Sequence, residues 1–466
     1  MPVNAALTSP MRLCFWILGF WIMTEANAFP LVIDFNPELR VVMEYTDNVD
    51  LTENEKTSSF ITVISPGFTT DISGEHGAAS LAYNLGYSIY SESSDQNAFR
   101  QQLNLAGETD LSKRTRLSFS DSLVQTEEPT SVGDPLENRN RETLYRNTAN
   151  LSMSHQFSRY DSVRLQYGYS LIDSDDEETE SSIAHTPSVN YVHRFEPYRI
   201  DLETGVAYTK GQFEGDTADV ETWVITAGLS RMFTKRFRGF ANYRQTLTQY
   251  RGDGEDYRIY GLSTGFDAQI SRTLNLLVEA GYFIQTTEAG GENSDFSASI
   301  ALGKTFKRAT LGFNASTGYQ QSYFDGENLG LSTYYQVEGD WRYPLSRYLD
   351  AGIDAFWRLD EFKEITPERT DETMGAGADL AWQIQEPLSL SLNLRYQTVD
   401  SDDPTETEDT YSAGSTLVYE WTKWLRVSLS LHHREVDAKE NDDDYQENRV
   451  IFEVKMTPPK PFRTIQ

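Results

Sequence analysis

Cysteine, long apolar runs and basic charge are all scarce in this chain of 466 residues. The only cysteine is Cys14, so a disulfide framework and a cysteine-ligated metal are excluded for the rest of the chain. The net charge of −31 opposes nucleic acid as a partner, because such binding depends on basic residues that neutralise phosphates. The mean hydropathy is −0.53, and beyond the N-terminus no apolar run reaches the roughly 18 residues that would suggest a transmembrane helix. These absences exclude three broad protein classes.

The N-terminus has the features of an export signal. Arg12 supplies positive charge, an apolar run follows from Leu13 to Met23, and Ala26-Asn27-Ala28 matches the small-x-small cleavage pattern. We predict a signal peptide over residues 1–28 with cleavage after Ala28. The mature protein would then contain no cysteine, which also excludes lipid anchoring at the cleavage point.

Beyond about Glu38 the apolar residues recur with a period of two. From Leu388 to Tyr396, the leucines and the tyrosine share one face, and Ser389, Ser391, Asn393 and Arg395 share the other. The segments Ser80–Ile89 and Ser162–Leu171 repeat this pattern. The sequence predicts about 22 such strands, each of about 13–17 residues, ending near Met456.

The connections between these segments alternate in length and charge. One set is short and often basic, as at Lys113-Arg114 and Lys235-Arg236. The other set is longer and acidic, as in residues 173–180, 360–372, 400–409 and 437–447. This asymmetry is typical of transmembrane barrels. It favours that class over a soluble sandwich, a β-helix or a propeller, since a propeller would show a repeated motif of fixed period.

The predicted fold is therefore all-β. It is a transmembrane antiparallel β-barrel of about 22 strands, with short periplasmic turns and long acidic extracellular loops. We assign residues 29–456 to the barrel and residues 457–466 to a C-terminal periplasmic tail. About ten residues precede the first predicted strand in the mature chain, which would leave no room for an N-terminal plug.

Two sets of side chains follow from the alternation. Aromatic residues beside short turns predict a periplasmic girdle in the lipid interface, formed by Trp341, Trp382, Trp421 and Trp424, with Tyr343 beside them. Charged residues on the opposite face would line the lumen, since toward lipid each arginine near the midplane would cost about 2–4 kcal/mol. They are Arg164, Arg244, Glu279, Asp354, Arg358, Asp379, Arg395, Arg426 and Arg434. They could form a selective ladder or ordinary ion pairs of a water-filled interior.

Tests for catalytic or metal chemistry give little. The acidic stretches Asp402-Asp403 and Asp442-Asp443-Asp444 do not match the spacing of a calcium loop. His432 and His433 are adjacent on a strand and would face opposite sides. No nucleophile-elbow, zinc-protease or phosphate-loop motif is present. We predict no cofactor, no metal and no enzymatic activity, with a hydrolase at the barrel rim as a less favoured alternative.

Two short stretches resemble a known family. They are Tyr45-Thr46-Asp47-Asn48-Val49 and the segment from Ile61 to Phe68, which contains Pro66-Gly67. They are similar to the putative β-barrel porin type 2 family, which includes outer-membrane proteins associated with exopolysaccharide export and protein-sorting loci. Asp47-Asn48 suits a turn that leaves a strand, and Pro66-Gly67 predicts a bulge. The resemblance implies porin action or surface-polysaccharide export, and it implies no catalytic residue.

Two functional hypotheses remain in addition to the rim hydrolase. The first is a bacterial outer-membrane channel, either porin-like or the conduit of a surface polysaccharide, with acidic loops that favour cations. The second is a non-conducting structural or anchoring barrel that docks a partner. The expected partners are outer-membrane lipids and, for export, a surface polysaccharide or its export machinery.

Overall fold

The computed structural model describes residues 31–465, except for residue 93 and the segments 129–141, 176–180, 215–217, 253, 289, 323–329, 363–367, 404–406 and 440–443. The predicted signal peptide and Cys14 lie outside the described residues. So do parts of the four acidic connections named above, including Asp442 and Asp443.

Twenty-two antiparallel strands of 12 to 17 residues form one closed sheet. The strands are β1 (Val32–Thr46), β2 (Ser59–Ser73), β3 (Gly77–Tyr90), β4 (Ala98–Ser112), β5 (Thr115–Thr126), β6 (Leu144–Gln156), β7 (Asp161–Ser174), β8 (Ser182–Phe195), β9 (Ile200–Phe213), β10 (Asp219–Thr234), β11 (Phe237–Arg251), β12 (Tyr257–Ser271), β13 (Leu274–Thr287), β14 (Glu292–Thr305), β15 (Thr310–Ser322), β16 (Gly330–Pro344), β17 (Leu349–Phe362), β18 (Arg369–Gln385), β19 (Leu388–Ser401), β20 (Glu408–Thr422), β21 (Leu425–Ala438) and β22 (Tyr445–Met456).

The sheet closes where β1 pairs with both β2 and β22. Closure leaves no strand without a neighbour on either side, so backbone donors and acceptors can be satisfied within lipid. The predicted fold class and the strand number are confirmed. The first strand begins at Val32, six residues before the predicted start at Glu38.

A short additional strand, β23 (Phe462–Ile465), lies in the segment expected to be a tail. It pairs with Val32–Phe35 of β1, beyond the end of β22. Because β1 starts at Val32, its first four residues can pair with the chain that returns after β22. Between β22 and β23 the ladder is interrupted where Pro37 faces a segment that contains Pro458, Pro459 and Pro461, because proline has no N–H to donate.

The two ends of the barrel differ in their connections. At one end, here called the turn end, short turns such as 113–114 and 235–236 join the strands. Several begin with a hydroxyl residue that accepts a backbone N–H two residues later. Ser112 Oγ accepts from Arg114 at 3.2 Å, and Thr234 Oγ1 accepts from Arg236 at 3.1 Å. This local bond explains why serine or threonine precedes the basic residues of these turns.

The opposite end is here called the loop end. Its connections vary in length, from the shortest at residues 288–291 to the longest at residues 127–143. Most of the buried side chains lie there, near the last residues of odd-numbered strands and the first residues of even-numbered strands. Among the described residues, no helix is long and apolar enough to cross a membrane.

The outer face is apolar and bears aromatic residues near both ends. On β20, Tyr411 is 46% exposed near the loop end and Trp421 is 66% exposed at the turn end. Ten residues of a strand tilted by roughly 40° separate two such levels by about 25 Å, which matches the apolar band of outer-membrane barrels.

Candidate functional site: the lumen

The space enclosed by the barrel is lined by the positions that alternate with the exposed apolar residues. Three of the predicted lumen residues meet near the middle of β17–β19. The Arg395 guanidinium lies 2.9 Å from an Asp354 carboxylate oxygen and 3.6 Å from Asp379. These groups are 33% to 52% exposed, so water screens the pairs and limits their contribution to stability.

Three other predicted residues have separate partners. Arg358 lies 2.5 Å from Asp360, and its guanidinium stands over the Tyr334 ring at 5.3 Å. Glu279 accepts a hydrogen bond from Ser263 Oγ at 2.5 Å. Arg434 lies over the Tyr445 ring at 5.6 Å, close to the loop end.

The remaining three predicted residues are exposed and far from one another. Arg164 lies opposite Asn190, Arg244 opposite Gly261, and Arg426 opposite Lys455. The nine residues thus form no single centre. Their role in conduction stays a prediction.

A buried network of charges at the loop end was missed by the sequence analysis. Arg449 on β22 lies 2.7 Å from Glu44 on β1 and 2.8 Å from Glu128. Arg100 on β4 lies 2.6 Å from Glu127 and 2.5 Å from Glu128. Glu44 and Glu127 are each 2% exposed.

This network joins strands that are not neighbours, because Glu128 follows β5 and reaches both β4 and β22. Glu127 and Glu128, the two residues directly after β5, therefore lie on the lumen side of the wall. The alternation of β1 and β22 could have shown that Glu44 and Arg449 face inward. Glu127 and Glu128 follow the end of β5, where no alternation indicates the direction of a side chain.

The connection 47–58 between β1 and β2 also folds inward. Val49 is fully buried against Ile61, Val63 and Tyr90. Leu51 packs against Val436 on β21 and Tyr445 on β22, across the junction of β1 and β22 at which the barrel closes. This loop thus ties β2 and β3 to β21 and β22.

The family-motif residues lie at the base of this loop. The Asp47 carboxylate accepts from the Asn448 backbone and side-chain N–H groups, both at 2.7 Å. Asn48 is fully buried and donates to the backbone oxygens of Thr52 at 2.7 Å and Gln446 at 3.1 Å. Tyr45 faces outward, and its ring centroid is 5.1 Å from that of Phe60.

The bulge predicted at Pro66-Gly67 is wrong. The pairing of β2 with β3 skips Ser65 and Pro66, but Ile64↔Tyr87 and Gly67↔Asn84 share one register. Proline removes a donor here without inserting a residue. At Gly67 an added Cβ would lie 2.8 Å from the Tyr83 backbone oxygen, so the glycine permits the close approach of β3.

A third inward element comes from the ends of β15 and β16. Leu331 is buried with Tyr257, Ile259 and Phe283. Gln321 donates to the Tyr257 hydroxyl at 2.6 Å and to Thr248 Oγ1 at 2.9 Å. Together the three inward elements constrict the lumen at its loop end.

Away from the loop end the inner wall is more open and polar. A groove of about 530 Å³ crosses β12–β17. Leucine and phenylalanine side chains contribute to its lining, and its polar residues are Asp267, Asn275, Asn314, Glu338, Asp340 and Asp354. A second groove, of about 340 Å³, crosses β3–β6. It is lined largely by serine, threonine and asparagine residues, including Ser80, Asn104, Ser122, Thr148 and Asn150. Such a wall can donate and accept hydrogen bonds along its length.

The predicted girdle tryptophans lie beside turns at the turn end. Trp341 is 49% exposed, Trp382 is 42%, Trp421 is 66% and Trp424 is 48%. Their position suits an interface between lipid and water. Their insertion into lipid stays a prediction.

Metal and histidine chemistry add nothing to this site. Within the described parts of the chain, no group of three or more His, Cys, Asp or Glu residues could hold a metal ion. His432 lies opposite Arg449, and His433 Nδ1 lies 2.9 Å from Asn448 Oδ1 on the other face of β21.

Comparisons with known proteins agree with this architecture. The model of the family described as "Putative beta-barrel porin 2" matches residues 34–162 and 372–457, which contain the first strands and the last. The resemblance inferred from the sequence is confirmed. No curated protein sequence matches the chain.

Several solved structures share the fold. The FrpB iron transporter of Neisseria meningitidis, in its apoprotein form, aligns with a TM-score of 0.59 and 10% identity over 91% of this chain and 81% of that one. The ferric-catecholate import receptor Fiu of E. coli K12 gives 0.56 and 11%, over 91% and 81%. The siderophore receptor PirA of Pseudomonas aeruginosa gives 0.53 and 10%, over 91% and 80%. At this identity the likeness shows the outer-membrane barrel fold alone.

Proposed function

We propose that this chain, whose first and last strands match the model of the family described as "Putative beta-barrel porin 2", is an outer-membrane channel for polar solutes that is constricted at its loop end. The observation that carries the proposal is the polar inner wall below the constriction. A wall of amides, hydroxyls and carboxylates serves no purpose toward lipid, but it can hydrate a passing solute.

The proposed direction of transport is outward. In barrels of this class the short turns lie in the periplasm, so the turn end would face the periplasm once the signal peptide has been cleaved after Ala28. The more open end of the lumen would then receive solutes made inside the cell. The second groove is rich in neutral amides and hydroxyls, which suit the hydroxyl groups of a surface polysaccharide. Its export machinery would dock on the short turns.

The constriction also favours a second candidate, a non-conducting barrel that anchors a partner. Glu44, Val49 and Ile61 are almost inaccessible to water, so this end of the barrel has a packed interior. If that interior stays intact in the membrane, nothing would pass.

Single-channel recording in planar bilayers separates the two candidates. The channel predicts stable conductance steps from heat-modifiable, folded protein, and it predicts that oligosaccharides added from the turn end transiently block the current. Silence from folded protein at all voltages would reject the channel in favour of the anchor.

Two matched variants in the inward loop sharpen the recording. Leu51 and Glu55 both have positive φ, at 53° and 60°, so glycine suits both backbones. Leu51→Gly removes a buried contact with Val436 and Tyr445, whereas Glu55 is exposed. The channel predicts a larger conductance for Leu51→Gly and an unchanged one for Glu55→Gly.

A further inference from the structure

The wall between β14 and β15 is paired over only part of its length. The ladder runs from Thr305↔Thr310 to Ala298↔Thr317 and stops there. Residues 292–297 of β14 continue to pair with β13, and residues 318–322 of β15 continue to pair with β16. At the loop end, β14 therefore ends as a strand edge, and most of its residues there are exposed.

The missing partner lies inside the barrel. The ends of β15 and β16, residues 318–322 and 330–334, are called here the tip hairpin. The Tyr319 ring is 5.0 Å from that of Phe283 on β13, and Gln321 reaches β11 and β12. The tip hairpin is thus tucked behind β14, against the inner face of β11–β13.

The alternation of the tip hairpin does not match this position. Along β16, Leu331 and Thr333 share a face with Val337 and Trp341, which are exposed on the outer wall. Leu331 and Thr333 are instead buried, at 6% and 9% exposure. Residues patterned for the outer surface are covered by the inner surface of the neighbouring wall.

Extending the existing register restores a regular wall. Ala298↔Thr317 would be followed by Ser297↔Gly318, Phe296↔Tyr319 and Asp295↔Gln320. Tyr319 would then lie beside Phe296, which is 52% exposed on the outer face at the level of the loop-end aromatics. Cross-strand aromatic pairs stabilise sheets, and Gln320 would face the lumen beside Asp295.

The geometry points to a gate: the tip hairpin moves between the tucked position seen here and a wall position in which it pairs with residues 292–297 of β14. The tucked state gains the apolar contacts of Leu331 and Tyr319 and the hydrogen bonds of Gln321. The wall state gains the backbone pairs that β14 lacks. Movement of the tip hairpin into the wall lengthens the circumference of the sheet at the loop end and widens the lumen there. The effect on conduction rests on the proposed function, whereas the movement itself does not.

Disulfide trapping tests the movement directly, because the predicted mature chain has no cysteine. In Phe296→Cys/Tyr319→Cys the two sites now face opposite sides of β14 and become cross-strand neighbours only in the wall state. In Ala298→Cys/Thr317→Cys the sites are already opposite and serve as the control for folding and oxidation. We expect both pairs to crosslink in membranes, the first one partially.

Gln321→Ala supplies the matched perturbation. It removes two hydrogen bonds found only in the tucked state and should raise the crosslinked fraction of the 296/319 pair, with an equilibrium shift of about tenfold. The 298/317 pair should not respond. A 296/319 pair that stays reduced with and without Gln321→Ala, while the control pair oxidises fully, would overturn the gate.

Conductance separates this inference from the proposed function. An oxidised 296/319 pair should lock a larger conductance that a reductant reverses. Crosslinking with no current at all would keep the movement and reject the channel, whereas current without crosslinking would keep the channel and reject the gate.

Discussion

At the scale of single residues, Asn48 holds the inward loop in place. Its amide N–H groups bridge the backbone oxygens of Thr52 on the loop and of Gln446 on β22, and its oxygen accepts from the Thr52 N–H at 3.1 Å. Asn48→Ala would leave these backbone groups without partners in a buried site. We expect a loss of about 3 kcal/mol in the free energy of unfolding.

Urea unfolding in lipid vesicles, followed by tryptophan fluorescence, measures this loss. Asn54→Ala is the control, since Asn54 lies in the same loop and its side-chain hydrogen bond to Glu53 is exposed. Equal stability of the two variants would mean that the loop is not held by Asn48.

Arg449 gives a second residue-scale prediction. It contacts two carboxylates, Glu44 and Glu128, and is itself 19% exposed. Arg449→Gln takes the guanidinium away from the buried Glu44 and from Glu128, although Glu128 keeps Arg100. It should cost about 3–5 kcal/mol in the free energy of unfolding. The same unfolding assay detects it.

Arg116 provides the comparison for Arg449. It also contacts two carboxylates, Asp110 and Glu108, but it is 54% exposed. Arg116→Gln should cost less than about 1 kcal/mol. If the two arginine variants were equally stable, water would be reaching the network at the loop end.

The sequence predicted which way a residue faces better than what it touches. The alternation of β19 predicted that Arg395 faces away from Leu394 and Tyr396, but its partners Asp354 and Asp379 depend on the alignment of three strands. Val49 and Leu51 carry no periodicity, because they lie in a loop. Nothing local to them indicates burial.

At the scale of elements, β23 stabilises the closure of the barrel. It adds four pairs to β1, and Arg463 makes two hydrogen bonds of 2.7 Å to the Asp34 carboxylate. Truncation after Met456 should lower the temperature at which the barrel loses its compact, fast-migrating form on gels, because residues 32–35 of β1 lose a partner.

Arg463→Ala separates the strand from its ion pair. The pair is exposed, at 60% for the Arg463 side chain, so its loss alone should change the transition temperature little. A truncated chain as heat-resistant as the full chain would show that β22 is sufficient to close the barrel.

Elements were predictable where one rule governs them. Period-two alternation specified the 22 strands, and short, often basic connections marked the turns. The tuck of β15 and β16 was not predictable, because Tyr319 and Leu331 fit a regular wall equally well. The bulge predicted at Pro66 was wrong for a related reason. A proline that only interrupts the ladder hydrogen bonds and a proline in a bulge cannot be distinguished from the sequence.

At the scale of the whole molecule, charge divides between the two ends. The turn end carries exposed basic residues, namely Lys113, Arg114, Arg159, Arg199, Lys235, Arg236, Arg272, Lys307, Arg308, Arg347 and Lys423. The described loop-end connections are acidic, with Asp50, Glu53, Glu55, Glu92, Glu214, Glu255, Asp256, Glu288, Asp402 and Asp444. Composition alone gave the net charge of −31, whereas the alternation of short basic and long acidic connections along the sequence predicted its division between the ends.

This division predicts a rectifying current in an open channel. Positive charge at one mouth and negative charge at the other concentrate opposite ions, so currents at equal and opposite voltages should differ. The difference should shrink between 0.1 M and 1 M salt, since the screening length falls from about 10 Å to about 3 Å.

The triple variant Lys235→Gln, Arg236→Gln and Arg308→Gln should weaken the rectification. Because these side chains project from turns, conductance near zero voltage should persist, and symmetric currents in the unmodified protein at low salt would show that the end charges do not reach the conduction path.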